Sequence, residues 1–240
     1  APTSLREPGG VLSRAQQDRL VDALAAEGLH EAVSFAFCDP DKLARVQGEA
    51  GLAVAVRLRN SMRGLGAVLR THLLPGLLDA AVLNVARHAR AVRLFEVGRV
   101  YAWGEPPVGE GPTASIDRML PHERVRAAVL LVAAHGGAGE PVDGRVMAGI
   151  LLDALRTVGL RATLAPAAVD DPELAHLHPG VRGRVAIDGH PVGSFGAVHP
   201  HVLDAWDLPE GTAVVYGELA VDALPAPTPV AFALLPRFPA

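Results

Sequence analysis

Arg70 and Glu96 are the two residues whose types and surroundings best suit charge chemistry, one closing Leu69-Arg70 and the other central to Leu94-Phe95-Glu96-Val97. A guanidinium fork receives phosphate or carboxylate oxygens in pairs. Arg70 therefore reads either as an anchor for an anionic ligand or as the partner of a local carboxylate such as Glu96. Glu96 reads first as the structural member of that pair, and otherwise as a relic of a site. His176, His178, His199 and His201 raise metal chemistry, because imidazoles two apart on a strand share a face. No cysteine near them completes a ligand set, and Pro179 and Pro200 mark turns, so no metal site is assigned. Asp143 reads as a helix cap rather than a catalytic acid. Cys38, next to Phe37, reads as a small buried hydrophobe rather than a nucleophile.

The elements that must position these groups follow from periodicity. Pro75 suits the first turn of a helix, and Leu77, Leu78, Ala81, Val82 and Val85 continue at helical spacing. Val92, Leu94 and Glu96 then alternate with Arg93, Phe95 and Val97, so the central unit is strand, helix, strand. Upstream, Ser13 and Gln16 form a capping box for a helix carrying Leu20, Val21 and Leu24 until Gly28. That stripe faces the domain's own sheet, a partner subunit, or both in part. Residues 31–37 alternate as a strand, Asp39-Pro40-Asp41 opens a short helical turn, and Val54, Val56 and Leu58 form a second strand ending at Asn60. Residues 103–122, rich in Gly and Pro, read as a long surface loop.

Residues 125–133 form a continuous apolar run, which suits a strand buried on both faces at the sheet centre. Asp143 caps a helix whose Val146, Met147, Ile150, Leu151, Ala154, Leu155 and Val158 make a wide apolar stripe before Gly159. The last third is strand and turn: residues 184–188, a turn at Gly189-His190, then residues 192–198 and 213–219. This grouping predicts an α+β fold with a mainly antiparallel sheet rather than a doubly wound one. No internal repeat is visible.

Composition excludes several classes. At 240 residues, 50% of them hydrophobic, the chain can bury a sizeable core, and a net charge of −4 gives no uniformly basic surface for gripping a phosphate backbone. The single cysteine excludes an internal disulfide and a cysteine-based zinc cluster. No apolar run is long enough to span a bilayer and no signal peptide is visible, so a cytoplasmic setting is expected. The first residue is not Met and residues 237–240 are loop-like, which leads to the expectation of an excised fragment.

Several segments together resemble the beta subunit of bacterial phenylalanyl-tRNA synthetase. They are Leu69-Arg70-Thr71-His72-Leu73-Leu74-Pro75-Gly76, Leu94-Phe95-Glu96-Val97-Gly98-Arg99-Val100-Tyr101, residues 28–37, Val56 with Leu58 and Asn60, His178-Pro179-Gly180, residues 193–200 and residues 236–240. Ordered motifs in fitting contexts carry far less risk of coincidence than one motif. The resemblance implies a class II synthetase-like but non-catalytic core over residues 1–236, with residues 237–240 starting a linker to an anticodon-binding-like domain. It implies a catalytic alpha subunit as partner in an alpha2-beta2 heterotetramer. The holoenzyme would use ATP and magnesium to charge tRNA(Phe), while this region binds no cofactor itself. Leu20, Val21, Leu24, Phe35, Phe37 and Asn60 become the candidates for the partner interface.

The same resemblance marks what is missing. Catalytic class II subunits follow the tyrosine of Gly-Arg-Val-Tyr with an arginine that holds the ATP α-phosphate, and here that position is Ala102. A methyl group cannot replace a phosphate-binding fork. No Gly-x-Gly-x-x-Arg segment follows Ala213. Departures from the beta-subunit pattern are Asn60-Ser61 for the usual Asn-Pro, Arg63, Gly64 and Leu65 for acidic residues, and Ala148 for a lysine. Two further readings stand beside the leading one: a regulatory pseudo-synthetase that keeps an amino-acid or nucleotide pocket, and a metal-dependent hydrolase built on the histidines.

Overall fold

The computed structural model describes residues 12–59, 67–104, 120–134 and 142–227. In chain order the elements are α1 (Arg14–Ala26), β1 (His30–Glu31), β2 (Phe37–Cys38), α2 (Pro40–Ala53), β3 (Val68–Leu69), α3 (Leu74–Ala86), β4 (Ala91–Ala102) and β5 (His122–Ala133). There follow α4 (Gly144–Thr157), β6 (Thr163–Pro166), β7 (Leu177–Ile187), β8 (His190–Val198), α5 (Pro200–Leu203) and β9 (Ala213–Ala220). Seven strands form one sheet in the order β1-β4-β5-β9-β8-β7-β6, and β2 pairs with β3 in a second, small sheet. Among the described residues, only the β1–β4 pairing is parallel. The expected α+β class with a mainly antiparallel sheet is the one observed.

β5 shows why the sheet has two cores. Its Ala127, Val129 and Leu131 join one apolar cluster with Leu20 and Leu24 of α1 and Met147, Ile150, Leu151, Ala154 and Leu155 of α4. Its Ala128, Leu130 and Val132 join another with Leu74, Leu77, Leu78 and Ala81 of α3. Successive strand residues point to opposite faces, so an uninterrupted apolar run is what a strand covered on both sides needs. Each fully buried leucine contributes about 1.5–3 kcal/mol. The helices start where their caps suggest: Asp143 accepts hydrogen bonds from the backbone N–H groups of Arg145 (2.8 Å) and Val146 (2.9 Å), and Ser13 with Gln16 completes a capping box.

Several expectations are corrected. Residues 31–37 are not one strand: β1 pairs with β4, β2 pairs with β3, and the chain between them changes partners. The turn after Asp39 grows into the whole of α2, which breaks only at Gly48, where φ is +65° and ψ −171°. Residues 54–58 shrink to a single bridge between Arg57 and Val68, because Val54 caps the end of α2. His178, Pro179 and Gly180 lie inside β7, at a register shift against β8, instead of forming a free turn. β6 was not foreseen. Asn60, residues 61–65 and the linker at 237–240 lie outside the described residues, as does most of the predicted loop at 103–122. No described helix is long and apolar enough to cross a membrane.

Candidate functional site

Arg70 follows β3 directly and its backbone is clamped between two neighbours. Its N–H donates to Ala36 O at 2.8 Å, and its carbonyl accepts from the Tyr101 N–H at 2.8 Å. The guanidinium therefore emerges at a fixed point beside β4. There Nη1 donates to Glu96 Oε1 at 2.7 Å and to Ser34 Oγ at 2.8 Å, while Nε donates to the Arg99 carbonyl at 2.8 Å. The Ser34 hydroxyl in turn donates to Glu96 Oε2 at 2.6 Å. Arg70 is 7% exposed and Glu96 3%, so the pair is buried, mutually neutralised and ringed by hydrogen bonds. Of the two readings of Arg70, the geometry is that of the ion pair.

Two glycines make room for this arrangement. A Cβ at Gly98 would lie 2.4 Å from Arg70 Nη2 and 3.0 Å from Glu96 Oε1, and one at Gly76 would lie 2.4 Å from Ser34 Oγ. Because Arg70 is held by Glu96, the Ser34 hydroxyl and the Arg99 carbonyl at once, its fork cannot swing aside cheaply. Gly98→Ala is therefore expected to lower stability by about 1–3 kcal/mol, the usual range for overpacking a filled site, measurable by urea denaturation.

Ala102 is the last residue of β4, opposite His122 on β5. β9 leads into a short 3₁₀ turn at Val221–Ala223 instead of a Gly-rich segment and helix. Arg70, which reaches Glu96 on β4, is already neutralised there.

A second buried polar group was missed by sequence reasoning. His72 Nδ1 accepts the first N–H of α3, that of Leu74, at 3.1 Å. Its ring packs against His176 (centroids 4.7 Å apart) and Tyr216 (5.3 Å), and the Tyr216 hydroxyl donates to Glu218 Oε2 at 2.6 Å. Burial, the larger cause, pushes His72 down to about 3, with Arg126 adding to it. Burial also pushes His176 down to about 3, helped by His72. Both rings are thus neutral at ordinary pH. Burial raises the Tyr216 phenol well above its usual value, with the Glu218 carboxylate contributing. His178, His199 and His201 gather separately at the surface, so the four histidines do not converge. Among the described residues no group of three or more His, Cys, Asp or Glu is placed to hold a metal ion. Cys38 is a thiol pushed up to about 12, by burial first and then by Asp79 and Asp39, which removes it as a nucleophile.

The interface candidates divide. Leu20 and Leu24 are fully buried in this chain's own core, which takes them out of the partner-surface candidates, while Val21 packs against that core and stays half-buried. Phe35 is 85% exposed and Phe37 58%, with Val33 beside them at 90%. They flank an open pocket of about 200 Å³ between this segment and the start of α3.

Comparison with known proteins decides the family. The family model described as the phenylalanyl tRNA synthetase beta chain CLM domain matches residues 3–220. This chain belongs to that family. Phenylalanine–tRNA ligase beta subunits resemble it along most of its length: that of Dechloromonas aromatica is 32% identical over 223 residues, covering 92% of this chain and 26% of the relative. That of Ralstonia nicotianae is 34% identical over 219 residues (91% and 26%), and that of Geobacillus kaustophilus 32% over 245 residues (99% and 28%). The chain thus spans about a quarter of the length of these relatives. Among solved structures, the pyrrolysyl tRNA synthetase PylSc of Desulfitobacterium hafniense superposes with a TM-score of 0.61 at 15% identity, covering 86% of this chain and 65% of that one. That likeness establishes the class II synthetase fold. In this beta-chain domain, Arg70 and Ser34 of the buried cluster line the same open pocket as the exposed Phe35 and Phe37.

Proposed function

We propose that this chain is the non-catalytic core of a phenylalanine–tRNA ligase beta subunit, holding the catalytic alpha subunit in an alpha2-beta2 assembly that attaches phenylalanine to tRNA(Phe) in the cytoplasm. ATP and magnesium act on the alpha subunit, and tRNA is met mainly through other domains. The observation that carries the reading is that Arg70 is neutralised by Glu96, together with a methyl group at Ala102, the position that the resemblance assigns to a phosphate-binding arginine. Forming an adenylate needs positive charge fixed where phosphate charge develops, and neither position offers it. The regulatory reading would use the open pocket of about 200 Å³ beside Arg70, but the guanidinium that lines it is already taken up by Glu96 and Ser34.

Given ATP, Mg²⁺ and phenylalanine, the isolated chain is expected to show no pyrophosphate exchange above background, and the Ala102→Arg variant none either. One restored guanidinium does not rebuild a site whose neighbouring arginine is paired and whose late Gly-rich motif is absent. Exchange by the unmodified chain refutes the reading.

A further inference from the structure

From Glu31 to Asp39 exposure alternates strictly, although the backbone bends at Ala36. Ala32, Ser34, Ala36 and Cys38 turn inward, while Glu31, Val33, Phe35, Phe37 and Asp39 are exposed. The inward side is fixed by the Ala32 N–H donating to Phe95 O at 2.7 Å and by Ala36 O accepting from the Arg70 N–H. The outward aromatics are therefore held on a rigid base beside the pocket of about 200 Å³, which is also lined by Ser34, Arg70 and His72 as well as Asp39, Pro75 and Asp79.

The charges around that pocket are unbalanced. Arg70 is matched by Glu96, and Lys42 by Asp79 at 2.5 Å, with Trp206 Nε1 also donating to Asp79 Oδ1 at 2.8 Å. Asp39 uses Oδ1 to accept the Asp41 N–H at 2.9 Å and makes no ion pair among the described residues. The start of α3 offers little to an anion, since the Leu74 N–H is taken by His72, Pro75 has no N–H, and the Ser34 hydroxyl lies against Gly76. A pocket with two aromatic side chains and an unmatched carboxylate suits a planar cation, which stacks on ring faces and pairs with a carboxylate at once.

We infer that this pocket is the socket for an arginine side chain of the catalytic subunit, stacked on Phe35 and Phe37 and paired with Asp39. The inference rests on the beta-subunit reading above. It specifies what that reading leaves open, the chemistry of the group this face receives.

The test uses the full-length beta chain titrated with the purified catalytic subunit, following complex formation by mass photometry over a salt series. Asp39→Asn keeps the helix cap and removes the charge, and Phe35→Leu keeps apolar volume and removes the ring face. At low salt each is expected to weaken association by about three- to tenfold, and the Asp39→Asn effect should shrink as salt screens the pair. Unchanged association for Asp39→Asn and Phe35→Leu, with loss only for Phe35→Ala, overturns the socket in favour of an apolar occupant. Tighter association for Asp39→Asn overturns it in favour of an anionic one. If the unmodified full-length chain does not bind the catalytic subunit at all, the underlying reading falls with it, a result separable from either of the others.

Discussion

Replacing Arg70 with methionine is expected to lower folding stability by about 3–5 kcal/mol, because removing one member of a buried ion pair strands the other. Glu96 is 3% exposed, and the lost guanidinium leaves it only Ser34 as a partner. A domain of this size should lose roughly 10 °C in thermal midpoint. Removing both charges together, in Arg70→Met/Glu96→Leu, is expected to recover most of the loss, since a buried pair and a well-packed apolar replacement are often close in free energy. The cycle separates the two readings of Arg70 that the sequence left open. An anchor waiting for a ligand is a strained, uncompensated charge, and its removal would leave the free protein unchanged or stabilise it. Strong destabilisation by the single change, relieved by the second, assigns the pair to structure.

How much of this was legible in the sequence depended on whether the relevant contact was local. α4 and β5 were readable because a helical stripe and an unbroken apolar run are written in consecutive residues. Arg70 and Glu96 could be named together because they flank a single strand-helix-strand unit. Ser34 could not be added to them, since it reaches the pair only through a segment that leaves β4 and joins β3 partway along. The same non-local pairing explains why residues 31–37 alternate like a strand yet form only two short ones. Alternation records which way side chains point, not whether the backbone keeps one partner.

The missed histidines follow the same logic. His72, His176 and Tyr216 come from three separate stretches of chain, and only the packing of α3 against β9 brings the first to the last. One local signal was available: Tyr216 and Glu218 are polar groups two apart in an apolar strand, hence on one face. Sheet register then sets Glu96, Ala128, Glu218, Ser194 and Arg184 opposite one another in turn across five strands. The charged groups in this row are engaged by neighbours: Glu96 by Arg70 and Glu218 by the Tyr216 hydroxyl. Arg184, likewise, is held by Asp171 at 2.5 Å and Glu173 at 2.8 Å.

The buried histidines make acid stability the other large expected effect. In the fold His72 and His176 stay neutral down to about 3, whereas in the unfolded chain each takes a proton below its ordinary value of 6.5. A folded-state value below the unfolded one means stability is full above pH 6.5 and is lost as pH falls through the window from 6.5 toward 3. The slope is about 1.4 kcal/mol per pH unit for each ring, so the pair should remove about 3 kcal/mol between pH 7.5 and pH 5.5. The groups facing them do not reverse this: Glu218 favours a charged His176, but burial outweighs it, and Arg182 and Arg184 act in the same direction as burial. Urea denaturation across this range measures the loss. His176 Nε2 has no hydrogen-bond partner among the described residues, so His176→Leu should cost little at pH 7.5 and roughly halve the loss on acidification. Asp171, held below its usual 3.8 by hydrogen bonding and charge from Arg184, loses its contribution only at lower pH. If the loss between pH 7.5 and 5.5 is as steep in His176→Leu as in the parent, the imidazoles do not carry it, and the neutral-histidine core assigned here is wrong.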